Sequence, residues 1–213
     1  TEAIMNKKVR IAVLVSGGGT NLQALIDAQA DGKLSSGEIK LVIASNNEAY
    51  ALKRAENNGI KTAVAVKKNC PQDEFEKKIL DILDKNNIDM IILAGFMCIL
   101  SADFISKWSR RIINVHPSLI PSFCGKGCYG LHVHEKALDY GVKVTGATVH
   151  FVNEIPDGGE IIFQKAVNVE DGDTPEILQK RVMEQAEWKI MPQAINDIAN
   201  GKIKVVDNKV IYQ

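Results

Sequence analysis

The chain has 213 residues, with 26 lysines plus arginines balanced by 26 aspartates plus glutamates and 46% hydrophobic residues, enough for one large domain with a substantial core. A formal net charge of zero excludes a protein drawn by its overall field to nucleic acid or to an anionic membrane. No apolar run approaches the roughly 20 residues of a bilayer span, the start TEAIMNKKVR lacks the apolar core of a secretory signal, and the four cysteines are too sparse for a disulfide scaffold. A cytoplasmic protein with reduced thiols is expected, residues 1–213 forming one domain behind a flexible segment at 1–8.

Short β-branched runs alternate with longer segments of helical period, which predicts an α/β fold of Rossmann-like type: a mainly parallel sheet flanked by helices. VRIAVLV (9–15) is the first strand, and after SGGGT a helix runs over about 20–31. IKLVIAS is a second strand, EAYALKRAENNG a helix ended by Gly59, and KTAVAV a third strand. In CPQDEFEKKILDILDKNN, Pro71 suits a first helical position and Phe75, Ile79, Ile82 and Leu83 share one stripe. DMIILAGF is apolar throughout, as a central strand covered on both faces must be. A short helix near 101–109 leads to a fifth strand, RRIINVH.

Beyond the proline-rich loop, HVHEKALDYG predicts a helix stopped by Gly141, and VKVTGATVHFV and EIIFQKAVNV an antiparallel pair toward the C-terminus. Thr174 and Pro175 open a long helix whose stripe steps by four through Leu178, Val182, Ala186, Ile190, Ala194 and Ile198, with a kink expected at Pro192. IKVVDNKVIY closes the chain as a hairpin around Asp207-Asn208.

Two stretches carry chemistry. VSGGGTNLQ joins a strand to a helix, where glycines let successive amides turn toward one anion and the helix N-terminus adds partial positive charge, so a phosphate fits. Leu22 stands where a dinucleotide fingerprint needs glycine and the second strand ends in IASNN without an acid, which argues against a nicotinamide cofactor. A turn that only requires positive backbone angles is the plainer alternative.

In INVHPSLIP, Asn114 and His116 are two apart on a strand and project to one side at its carboxyl end, where open α/β sheets bind ligands. An amide and an imidazolium are two donors suited to the oxygen of a carbonyl turning tetrahedral, which points to acyl transfer. Asp157, on the glycine-rich turn IPDGGEI, is the carboxylate expected to keep that histidine charged. An ordinary strand end remains the alternative. Serine hydrolysis through Ser118 lacks a G-x-S-x-G elbow, and zinc bound by Cys124, Cys128, His132 and His134 would need an unusual C-x3-C-x3-H-x-H spacing, so no metal is expected. His150, in ATVHFV, reads either as a core histidine or as a neighbour of the cleft.

Taken in order, VLVSGGGTNLQALI, LAGFMCIL, INVHPSLIP, GATVHFV, PDGGEII and EQAEWKIMP resemble the folate-dependent glycinamide ribonucleotide formyltransferases over about residues 9–195. The resemblance implies transfer of the formyl group of 10-formyltetrahydrofolate to the amine of 5'-phosphoribosylglycinamide in purine biosynthesis, with no metal. It implies a catalytic trio of Asn114, His116 and Asp157. Gly19, Thr20 and Asn21 would hold the phosphate and Glu187 the ribose hydroxyls. Met97, Cys98, Ile99, Leu100, Val152 and Asp157 would border the folate. Three positions depart from the family pattern: Cys98 and Gln72, where arginine is common, and Glu184, where glutamine or lysine is usual. SFCGKGCYG, with Lys126, replaces a shorter loop.

Other readings stay open. A formyltetrahydrofolate hydrolase shares the trio but carries an extra N-terminal domain, and a methionyl-tRNA formyltransferase adds an RNA-binding domain; neither addition is expected here. A non-catalytic sugar-phosphate binder would use the glycine loop alone. The expected partners are the two small substrates, with no nucleic acid and no membrane, on a monomer or homodimer.

Overall fold

A computed structural model describes residues 8–213. The N-terminal segment expected to be flexible therefore lies, except for Lys8, outside the described residues. Seven strands form one sheet in the order β3-β2-β1-β4-β5-β6-β7. Strands β1 (Val9–Val15), β2 (Gly37–Ala44), β3 (Lys61–Val64), β4 (Met90–Leu93) and β5 (Ile112–His116) run parallel. The pair β6 (Val144–Phe151) and β7 (Ile161–Asn168) is antiparallel. A separate hairpin, β8 (Ile203–Val206) and β9 (Lys209–Tyr212), turns at Asp207 and Asn208, both at positive φ. Such angles match the strand twist, and Asp and Asn tolerate them.

The apolar runs of β1 and β4 follow from two cores, one on each sheet face. Ile11, Val13 and Val15 pack with α1 (Thr20–Ala30) and the C-terminal helices. Ala12 and Leu14 face Phe75, Ile79 and Leu83 of α3 (Gln72–Lys85) and Phe104 of α4 (Ala102–Lys107). Successive strand residues point to opposite faces, so burial on both sides demands unbroken hydrophobicity rather than alternation.

Boundaries differ from the sequence expectation in three places. Pro71 caps α3 rather than opening it. Helix α2 (Tyr50–Asn57) starts after Glu48 and Ala49. The long C-terminal helix is three segments: α6 (Pro175–Val182), a π-turn over Met183–Glu187, and α7 (Trp188–Ala199), with Pro192 inside α7. The irregularity thus sits one turn before the proline. Helix α5 (Leu131–Tyr140) ends at Gly141 in the left-handed conformation, as expected. Among the described residues no helix is long and apolar enough to cross a membrane.

The strand order reverses between β1 and β4, and at such a switch point the loops leaving the two strands part to opposite faces and open a crevice. Here the glycine loop leaves β1 and the Gly95–Leu100 segment leaves β4. They are tied together: the Ser16 amide donates to the Gly95 carbonyl at 3.1 Å, and the Met97 amide to Ser16 Oγ at 2.9 Å.

Candidate active site

Asn114 and His116 leave the end of β5 on the same sheet face as Ile112, with Val115 on the other. Pairing fixes both: Asn114 lies opposite Leu93 of β4 and His150 of β6, and His116 opposite Thr148. His150 is 2% exposed and sets the Asn114 amide. Its Nδ1 lies 2.7 Å from the Phe151 carbonyl, which can only accept, so Nδ1 carries the hydrogen. Burial pushes the His150 pKa down, so the ring is neutral and its bare Nε2 accepts from Asn114 Nδ2 at 3.3 Å. One Asn114 N–H is used in this way. The other remains for a ligand.

His116 is buried, and each ring nitrogen faces an acceptor. Nε2 donates to the Phe123 carbonyl at 2.9 Å, and Nδ1 lies 3.5 Å from Asp157 Oδ2. Only an imidazolium has a hydrogen for both. With Nε2 taken by Phe123, Nδ1 is the ring nitrogen left to face a ligand, on the side of Asp157.

Asp157 is held by backbone. Its φ is +56°, an angle Asp accepts better than most residues, and its Oδ2 accepts from the Gly125 amide at 2.9 Å. The two glycines after it are required by space: a Cβ on Gly159 would stand 1.8 Å from the Phe151 carbonyl oxygen, and one on Gly158 would stand 2.7 Å from the Ile155 side chain. The loop at 123–125 therefore grips both partners, through a carbonyl on His116 and an amide on Asp157. Asp157 Oδ1 also lies 3.8 Å from His150 Nε2, but that nitrogen is a lone pair, so this contact is no ion pair.

The glycine loop is oriented from outside. The Gly17 carbonyl accepts from the Ala51 amide at 3.1 Å and the Gly18 carbonyl from Arg54 Nε at 2.8 Å. In a trans peptide C=O and N–H point oppositely, so the Gly18 and Gly19 amides turn away from α2. Gly19, at φ +74°, starts α1 with no side-chain cap, which leaves the amides of Thr20 and Asn21 to a ligand. A Cβ there would lie 2.6 Å from the Ala51 Cβ. Glu187, 5% exposed, accepts from Asn21 Nδ2 at 2.7 Å; burial pushes its carboxyl up to about 7 against the pull of that bond.

Of the residues expected along the folate, Leu100 is buried and packs in one cluster with the half-buried Cys98 and Val152. Met97 and Ile99 stand 56% and 77% exposed. Gln72 Nε2 donates to the Ile99 carbonyl at 2.9 Å, so it braces that segment. Glu184 is exposed and pairs with Lys180 at 3.9 Å. Ser118 is fully buried and donates to the Ser122 carbonyl at 2.5 Å, which leaves it no role as a nucleophile. His132 is exposed and bonded to Glu135, whereas His134 is fully buried, has no partner for either ring nitrogen among the described residues, and has its pKa lowered to about 4 by burial. Among the described residues no group of three or more His, Cys, Asp or Glu could hold a metal ion.

Sequence reasoning missed three participants: the Phe123 carbonyl, the Gly125 amide and Arg54. The first two are main-chain atoms and leave no mark in residue identity. Arg54 had a signal, a basic residue in the helix after the second strand, but nothing tied it to the glycine loop.

A switch-point crevice with two side-chain nitrogen groups at one strand end and outward-turned amides at another is an arrangement suited to acyl transfer on an α/β fold. Residues 9–195 match the formyl transferase family, and the chain belongs to that family, in its phosphoribosylglycinamide formyltransferase branch. The phosphoribosylglycinamide formyltransferase of Haemophilus influenzae is 39% identical over 93% of this chain and 91% of its own. The human trifunctional purine biosynthetic protein adenosine-3 is 46% identical over 95% of this chain, which spans about a fifth (19%) of that relative's length. The crystal structure of phosphoribosylglycinamide formyltransferase from Anaplasma phagocytophilum superposes with a TM-score of 0.87 at 40% identity, covering 97% of this chain and 95% of the other.

Proposed function

We propose that the chain transfers the formyl group of 10-formyltetrahydrofolate to the amine of 5'-phosphoribosylglycinamide, giving the N-formyl product and tetrahydrofolate, as one cytoplasmic domain of residues 1–213 active as a monomer or homodimer. The observation that carries this reading is the convergence of Asn114, His116 and Asp157, with His116 Nδ1 3.5 Å from the Asp157 carboxylate. The amine attacks the formyl carbon, and the carbonyl oxygen gains the negative charge. An Asn114 N–H and the His116 Nδ1–H donate to it. The Nε2 hydrogen stays on the Phe123 carbonyl, and the negative Asp157 beside Nδ1 favours the charged form of the imidazole. The intermediate collapses by breaking the bond from the formyl carbon to the folate nitrogen; the attacking amine loses one proton and the leaving nitrogen gains one, relayed by water beside Asp157. No enzyme nucleophile is needed, and alignment supplies much of the rate.

The amides of Gly19, Thr20 and Asn21 hold the ribose phosphate and Glu187 the ribose hydroxyls. Met97, Cys98, Ile99, Leu100 and Val152 form the wall for the folate ring, a role supported by the exposure of Met97 and Ile99 beside the cluster of the other three. Lys126, exposed on its loop, follows the Gly125 amide that holds Asp157, which supports a role for it toward anionic groups of either substrate. Purified protein given both substrates should form N-formyl product, with little formate when the amine acceptor is omitted. Formate release independent of acceptor would assign a hydrolase instead.

A further inference from the structure

Two adjacent residues at the end of the π-turn reach the same asparagine. Trp188 Nε1 lies 2.9 Å from Asn21 Oδ1, and Asn21 Nδ2 lies 2.7 Å from Glu187 Oε2. An indole nitrogen can only donate, so the Asn21 oxygen must face Trp188 and its amino group must face Glu187. Regular helix geometry sends consecutive side chains about 100° apart. Here the chain widens, and the Trp188 amide bonds to the Met183 carbonyl five residues back. That widening is of the kind often found at functional sites, and it brings Glu187 and Trp188 to the two ends of one amide.

We infer that Trp188 is a positioning residue for the ribonucleotide half of the site: its indole N–H locks the Asn21 amide so that Asn21 donates to Glu187 Oε2, leaving Oε1 to accept from the substrate's hydroxyls. The inference rests on the proposed roles of Asn21 and Glu187. Apart from Asn21 itself, only Glu187 and Trp188 among the residues lining the cavity beside that amide carry side-chain nitrogen or oxygen atoms. The cavity bounded by Asn21, Val115, Glu187 and Trp188 measures about 10 Å³, at the lower limit of the roughly 10–15 Å³ one water needs, and Glu187 is the sole titratable group lining it. Without the indole the amide is free to turn its oxygen toward Glu187. The carboxyl would then be held protonated, as a donor rather than an acceptor. Burial already raises it to about 7, and the Asn21 N–H is the group drawing it back.

The test is steady-state kinetics with each substrate varied, across pH, on Trp188→Phe, Asn21→Ala and the double variant. Trp188→Phe should raise KM for the ribonucleotide about fivefold, the scale of one net hydrogen bond, with kcat and the folate KM within about twofold. The pH at which the ribonucleotide KM turns should move upward. In the Asn21→Ala background, adding Trp188→Phe should change nothing further, because the relay is already cut. An unaltered ribonucleotide KM and pH profile, additive effects in the double variant, or equal damage to both substrates would overturn the inference. If Trp188→Phe does not fold, the Trp188 indole N–H resonance in 15N-labelled protein decides it: Asn21→Ala should shift that signal and speed its exchange, and an unmoved signal defeats the relay. Wild-type protein without transfer to the ribonucleotide would defeat the functional reading instead, while the indole signal still settles the geometry.

Discussion

The strand-borne half and the loop-borne half of the site are built on different principles. Asn114 and His116 stand on β5 between two hydrogen-bonded neighbours, so their direction follows from strand register and a slip of one residue would turn both to the other face. Asp157 sits in a connection between β6 and β7 at positive φ, and it reaches His116 because a second loop donates the Gly125 amide and two glycines allow close packing. Direction is inherited from the sheet in one half. In the other it depends on two loops agreeing. The first half should therefore survive loss of a ligand or a loop contact, whereas the second should fail with either loop.

The largest effect belongs to the strand-borne donors. His116→Ala or Asn114→Ala should lower kcat by about 10²- to 10³-fold, the scale of one oxyanion donor, with the fold retained by circular dichroism. Near-normal turnover in either variant would remove that residue from the mechanism.

A helix-borne group, Glu187, sharpens the contrast through pH. Its carboxyl rises from 4.5 to about 7 on folding, so the native state binds more protons than the unfolded one between those values. Stability then falls as pH rises through that window, by roughly 3 kcal/mol in total. Glu187→Gln should lose this slope, so the stability of the variant relative to wild type should climb between about pH 4.5 and pH 7 in urea unfolding. His134, with its pKa lowered to about 4, imposes the opposite slope as pH falls below its ordinary value, but it is common to both proteins and cancels in the difference. A constant difference across pH would show that Glu187 is not desolvated.

Smaller still is the test of the loop-borne half. Gly159→Ala places a methyl against the Phe151 carbonyl, and relieving that clash should cost about 1–3 kcal/mol of stability. The shift moves Asp157 as well. Turnover should fall while phosphate-loop binding, read from KM for the ribonucleotide, stays near wild type. An equal change in both parameters would mean that the Asp157 loop and the phosphate loop are not independent.

The same division explains what could be read from residues alone. Every strand of the main sheet was legible, because β1 and β4 must be apolar on both faces and Asn114 and His116 interrupt an otherwise hydrophobic strand. Asp157 was legible only as an acid on a glycine-rich turn. The three-segment helix was not: a π-turn adds one residue without any residue type that marks it, and the visible signal, Pro192, pointed one turn too late. Nor could sequence show that His116 Nε2 is spent on a main-chain carbonyl, or that His150 is the acceptor orienting Asn114. Residue identity alone leaves His150 between core residue and cleft neighbour. It is both, and only the register of β5 against β6 decides it.

The mechanism requires His116 and Asp157 to act as one unit, and kcat for His116→Ala, Asp157→Asn and the double variant measures this most directly. If the carboxylate works chiefly through the imidazole, the double variant should be slower than His116→Ala by much less than the loss Asp157→Asn causes alone. Losses that multiply, giving a double variant slower by the product of the two single effects, would contradict the pairing.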